Sequence, residues 1–287
     1  MSIHGLLAAD FVLNPPSKNW LEVIPTISEF NSIPFFWPRD AQALLPGAAK
    51  RLLEKQQSSF RRDLEQFQNA YPHVASKDYM HAWFVVSTRA FYQETPQTLA
   101  YPWHDRLALL PVADLFNHAD TGCEVSYYTD SYTILADRDY LKGDEVCTSY
   151  GEHSNDFLLA EYGFLLKDNP HDRIDPNDLV SPEMNTQEII MLSQMRTLAS
   201  MSPIFSPANA DEMAPHDKDC SEDISGAFDT EQLKKVLAKS LENIKRHHDD
   251  VLALSDEDQQ YQSLLLERWT QIDQLVRKAI QLSSSKQ

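Results

Sequence analysis

Between Leu107 and Ser149 the sequence breaks into four short β-like runs, Leu107–Pro111, Glu124–Tyr128, Tyr132–Ala136 and Glu145–Ser149. Turn residues such as Thr121-Gly122 and Lys142-Gly143-Asp144 separate them. On both sides of this block the apolar residues recur at three and four positions instead of two, the period of a helix with one buried face. A β-rich middle third between helical segments restricts the chain to an α+β architecture.

The helical reading is clearest from Pro46 through Phe67, where Leu52, Leu53, Gln56, Phe60, Leu64 and Phe67 mark one face with charges between them. A second helix is expected from Ser76 to Tyr92, with Tyr79, Trp83, Val86 and Ala90 on its core face. Leu6 to Leu13 has helical spacing without an obvious cap. After Tyr150-Gly151, Ser154 or Asn155 can cap a short helix through Leu158, Leu159 and Tyr162, which Gly163 is placed to end. Beyond Pro176 the pattern is helical again, and two helices, Thr230–Leu254 and Asp256–Leu282, close the chain. The Pro-, Asp- and Ser-rich stretch 202–226 interrupts it and reads as a flexible loop.

The charge balance narrows the partners. Lys plus Arg number 25 against 43 Asp plus Glu, a net charge of −18, so nucleic acid and anionic membrane surfaces are disfavoured and a basic protein partner is favoured. Three cysteines, Cys123, Cys147 and Cys220, without a CxxC spacing fit a reducing nuclear or cytoplasmic compartment and give no zinc framework. No apolar run approaches the ~20 residues of a membrane helix. His247-His248 beside Asp249-Asp250 is expected on a solvated helix face, not at a metal, because adjacent helical residues point in different directions. No metal site is expected, and the chain is expected to be a monomer.

Three blocks carry the chemistry. Leu109-Leu110-Pro111-Val112-Ala113-Asp114-Leu115-Phe116-Asn117-His118 is followed by Ser149-Tyr150-Gly151, and then by Asn155 leading to Glu161-Tyr162-Gly163-Phe164. In this order they resemble the PxxDxxNH, YG and N…YGF blocks of SET-domain protein methyltransferases, specifically the branch like the Rubisco large-subunit lysine methyltransferase. The region Trp20–Trp37 and the block Ser87-Thr88-Arg89-Ala90-Phe91 resemble that branch's helical insert, and the C-terminal helices its substrate-binding domain. The resemblance implies three parts: residues 1–105 as the helical insert, 106–172 as the C-terminal part of a β-rich SET core, and 173–287 as a mainly helical substrate-binding domain.

The same resemblance implies an S-adenosylmethionine-dependent protein-lysine N-methyltransferase acting on a protein that presents a lysine. A neutral amine must attack the cofactor's methyl group in line, which requires alignment, desolvation and loss of the ammonium proton from a group whose ordinary pKa is about 10.4. By resemblance Tyr150 is the catalytic residue and also touches the cofactor, Asn117 and His118 contact the cofactor, and Tyr162, Arg89 and Asp114 line the lysine channel. Each has a plainer alternative: a strand-end core tyrosine for Tyr150, a hydrogen-bonded turn pair for Asn117-His118, a helix-face core residue for Tyr162, and for Arg89 with Asp114 a buried ion pair that only supports the fold.

The family's Gly-x-Gly strand block, which would precede the helical insert, is absent from the sequence, and residues 1–19 resemble the interior of that insert. The expected SET core is therefore incomplete, and the expected enzyme a truncated form. Two other functions stay open: a catalytically inactive SET-like adaptor that binds a protein, and a protein-histidine methyltransferase.

Overall fold

The computed structural model describes residues 1–128, 131–195, 230–255 and 259–284, so the loop expected at 202–226, and Cys220 with it, lies outside the described residues. In chain order the elements are α1 (Ile3–Leu13), α2 (Lys18–Leu21), α3 (Arg39–Ala43), α4 (Gly47–Ala70), α5 (Ser76–Arg89), β1 (Ala90–Tyr92), β2 (Leu107–Leu109), β3 (Asn117–Tyr127), β4 (Tyr132–Leu135) and β5 (Cys147–Thr148). Then follow α6 (Asn155–Tyr162), α7 (Thr186–Met195), α8 (Thr230–Leu252) and α9 (Gln259–Ser284). The architecture is α+β, as expected, with two small sheets among the described residues and a helical C-terminal region. Among the described residues no helix is long and apolar enough to cross a membrane. Two compact units are present, Met1–Asn31 with Leu53–Glu152, and Ser32–Leu52 with His153–Gln287.

The first unit packs α1 on α5 over the face of α4 that the spacing predicts. Phe60 and Phe67 of α4 are buried and meet Trp83 edge-on at 5.5 Å and Tyr79 in a stack at 4.2 Å. Burying side chains of this size contributes roughly 1.5–3 kcal/mol each. Asp63, which the expected face did not include, is fully buried beside them and accepts from the Ser2 amide at 2.8 Å and from the Trp83 indole at 3.4 Å. Ser2 also caps α1 by accepting from the Gly5 amide at 3.1 Å, a cap that the apolar spacing from Leu6 onward did not reveal.

The strands and their ends differ from the expected ones at four places. The helix from Ser76 stops at Arg89 instead of Tyr92, because Ala90, Phe91 and Tyr92 pair antiparallel with Leu109, Ala108 and Leu107. Thr121-Gly122 is no turn: it lies inside β3, at a break in register between His118 and Cys123 where β3 runs parallel to β5. A Cβ at Gly122 would stand 2.4 Å from the Cys147 carbonyl oxygen, so close passage of the two backbones requires glycine. The run Glu145–Ser149 shortens to the two residues of β5, while β3 begins seven residues earlier than Glu124. The three-stranded sheet has the order β4-β3-β5.

Between β2 and β3, Val112 has φ +80° and ψ −47° and is 68% exposed. A β-branched residue rarely takes this conformation, and nothing buried holds the side chain there. Val112→Gly is expected to stabilise the protein by about 1 kcal/mol, since relief of strain outweighs the added freedom of the unfolded chain. A melting temperature at or below that of the unsubstituted protein would contradict this.

In the second unit α8 and α9 form an antiparallel pair. Val236, Leu237, Ile244 and Val251 of α8 and Leu265, Trp269, Ile272 and Val276 of α9 are buried. The Trp269 indole donates to the Leu44 carbonyl at 3.0 Å. His247 does not lie on a fully solvated face as expected: it is half-buried and stacks on Trp269 at 4.2 Å and 9°, and loss of water lowers its pKa. Ser154 caps α6 by accepting from the Phe157 amide at 3.3 Å, and Gly163 ends it in the left-handed conformation at φ +78°. There its amide donates to Leu158 and Leu159 carbonyls, and a Cβ would stand 2.4 Å from Ser32 Oγ.

Candidate functional site

The end of α5, the turn before β3, the start of β3 and the residue pair after β5 bring four of the six expected site residues, Arg89, Asp114, His118 and Tyr150, into one cluster in the first unit, with Asn117 beside it in sequence. Arg89 is the last residue of α5, Asp114 lies in the 3-10 turn Ala113–Leu115, Asn117 and His118 open β3, and Tyr150 follows β5. Tyr162, the sixth, is the last residue of α6 in the second unit, where its ring lies 6.2 Å from Phe157 and 6.0 Å from Phe164.

Asp114 is the most buried charge of the cluster at 5% exposure. Its Oδ2 accepts from the Trp20 indole at 2.7 Å and lies 3.8 Å from an Arg89 guanidinium nitrogen, which itself donates to the Asp114 backbone carbonyl. Asp114 Oδ1 and Arg89 Nε are both buried without a hydrogen-bond partner among the described residues. An unsatisfied buried polar atom costs roughly 1–3 kcal/mol, so this acceptor and this donor favour any ligand group that can complete them. The ion pair that could support the fold is present, and so is unused hydrogen-bonding capacity beside it.

Tyr150 is anchored at both ends. Its backbone amide donates to His118 Nδ1 at 2.9 Å, and its hydroxyl donates to the Phe116 carbonyl at 2.7 Å. The two rings lie 5.1 Å apart and are tilted by 34°. Burial raises the pKa of the hydroxyl, opposed by Arg89 and reinforced by Cys147 and Asp114, so the phenol stays neutral at physiological pH. Asn117 points elsewhere: its amide donates to Glu145 at 2.6 Å in an exposed position.

Reasoning from the sequence missed Trp20 as the donor that fixes Asp114, 94 positions away, and the Phe116 carbonyl as the acceptor for Tyr150. Phe116 sits within the motif, and its carbonyl could have been suspected from its place directly before Asn117. Nothing local marks Trp20. The described residues hold no group of three or more His, Cys, Asp and Glu placed to bind a metal.

The chain is similar to several SET-domain proteins. It is 27% identical over 156 residues to the ribosomal lysine N-methyltransferase set11 of Schizosaccharomyces pombe, a match covering 54% of this chain and 40% of that protein. It is 31% identical over 172 residues to SET domain-containing protein 4 of Homo sapiens, covering 54% and 38%. To the actin-histidine N-methyltransferase of Danio rerio it is 27% identical over 172 residues, covering 55% and 28%. The matches therefore span less than half the length of each of these relatives. No family model matches the chain. The similarities are thus to the SET methyltransferase family.

Proposed function

We propose that the chain carries the catalytic tyrosine and part of the acceptor site of an S-adenosylmethionine-dependent protein-lysine N-methyltransferase of the Rubisco large-subunit lysine methyltransferase-like branch. Its substrate is a basic, lysine-bearing protein of the nucleus or cytoplasm. The supporting observation is the cluster itself: a neutral, doubly anchored Tyr150 beside a buried Asp114 with one carboxylate oxygen unpartnered.

The side chains of Asn117 and His118 are committed to Glu145 and Tyr150, so what these residues offer a cofactor is their backbone at the start of β3. That fits a ligand held through main-chain groups. When bound, the cofactor supplies an electrophilic methyl group. The residues do the rest. Tyr150 spends its hydroxyl hydrogen on Phe116, which leaves its oxygen lone pairs to orient an incoming amine. Asp114 Oδ1 accepts a hydrogen bond from the substrate, and Arg89, by offsetting the carboxylate's charge, keeps the site from locking the amine in its ammonium form. Burial of Tyr150 and Asp114 excludes water and disfavours that ammonium further.

The test supplies radiolabelled cofactor and cell extract to this chain and to a longer form joined to the N-terminal portion of a relative. Protein labelling by either form is expected, reduced about a hundredfold or more in Tyr150→Phe, a loss of the size expected when an orienting group goes. Equal labelling by Tyr150→Phe would refute the assignment, and no cofactor binding by calorimetry in either form would sink the enzyme reading. A histidine acceptor is the second reading, favoured by the similarity to the zebrafish actin-histidine enzyme, and mass spectrometry of the labelled residue separates the two.

A further inference from the structure

The short parallel ladder between β3 and β5 pairs Asn117 with Cys147 and His118 with Thr148, and β5 then ends. Two residues on, the Tyr150 amide meets a side chain instead of a strand: His118 Nδ1, at 2.9 Å. An amide N–H can only donate, so Nδ1 must carry its lone pair and a neutral His118 must bear its hydrogen on Nε2. Taking up a proton from solvent puts a hydrogen on Nδ1, facing the Tyr150 N–H, and the bond is lost. Of the two hydrogen bonds described for Tyr150, the one to the imidazole is thus the one that protonation of its acceptor removes, since the other acceptor is a backbone carbonyl.

We propose that His118 is a positioning residue for Tyr150, holding its backbone amide while neutral and releasing that amide when protonated. The proposal rests on the reading of Tyr150 as catalytic residue for its consequence, which is loss of methyl transfer on the acid side. It does not rest on it for the hold itself. The charged and titratable groups around the pair are Arg89 of α5, Asp114 of the preceding turn and Cys147 of β5, all of which act on Tyr150. Glu145 is bound to Asn117, the neighbour of His118, and Asp120 and Glu152 lie two residues from His118 and from Tyr150 in sequence.

The experiment follows the Tyr150 amide by NMR in protein labelled with 15N-tyrosine, its peak identified among the 11 tyrosines as the one missing from Tyr150→Phe. Between pH 8 and pH 5 the peak should shift with the same midpoint as the His118 ring resonances. In His118→Asn, whose side-chain oxygen occupies the Nδ1 position but does not titrate, the peak should stay fixed. A peak that does not move in the unsubstituted protein, moves with another midpoint, or still titrates in His118→Asn overturns the proposal. In the labelling assay, His118→Phe should lose about a hundredfold, as a misplaced orienting group does, and the acid limb of the rate profile should be absent from His118→Asn. A coupled titration with no methyl transfer in any form would refute the enzyme reading while leaving the hold on Tyr150 intact.

Discussion

Arg268→Met is expected to destabilise the protein by about 3–5 kcal/mol, the cost of stranding buried carboxylates without their cation. Arg268 has no exposed surface. Its Nε and Nη2 form a fork on Asp156 at 2.8 and 2.9 Å, and Nη1 donates to Asp172 at 2.7 Å. Burial alone would push the guanidinium toward losing its proton, but the two carboxylates more than reverse this and raise its pKa. Asp172 also accepts from the Asn155 and Arg173 amides at 3.1 and 3.0 Å, so the network ties α9 to the start of α6 and to the chain after it. Without Arg268 the carboxylates remain buried without their cation, which is the source of the deficit. Adding Asp156→Asn and Asp172→Asn should recover most of it at pH 7.5. Urea unfolding measures all three, and a midpoint for Arg268→Met equivalent to a loss under about 1 kcal/mol would show that the network is dispensable.

What the sequence made legible is what neighbouring residues decide. The α6 helix was readable from end to end because Ser154 and Gly163 act on amides and carbonyls within a few positions of themselves. The buried face of α4 was readable because its period is its own. The start of β3 was not: Asn117 and His118 become strand only by pairing with Cys147 and Thr148, thirty residues on. Likewise Ala90–Tyr92, at the end of a helical pattern, is a strand because Leu107–Leu109 returns beside it. The site follows the same division. The motif residues Asp114, His118 and Tyr150 could be named from their order, but their partners could not, since Trp20 reaches Asp114 through the tertiary fold alone. His247 was misjudged for the same reason, because the ring that covers it sits on another helix.

Asp178→Asn is expected to make the protein more stable at pH 8, and by a smaller margin at pH 5. Asp178 lies in the 3-10 turn Pro176–Leu179, accepts from the Ala48 amide at the start of α4 at 3.2 Å, and packs so closely on Gly47 that a Cβ there would stand 2.3 Å from its Oδ1. Burial, with Asp156 and Asp175 nearby, pushes its carboxyl up to about 7 from an ordinary value of 3.8, against the pull of the Ala48 amide and of Arg51. Arg51 itself is paired with Asp175. The folded protein therefore holds a proton that the unfolded chain has lost between about pH 4 and pH 7, and stability must fall as pH rises through that window and level off above it. The full linkage would be about 4 kcal/mol, and the partial exposure of the residue reduces this to about 2. Asparagine is neutral throughout and keeps an oxygen for the Ala48 amide, so Asp178→Asn removes this descending limb without removing the helix contact. Denaturant unfolding from pH 5 to pH 8 decides it: parallel curves for the two proteins would mean that Asp178 carries no excess proton in the folded state.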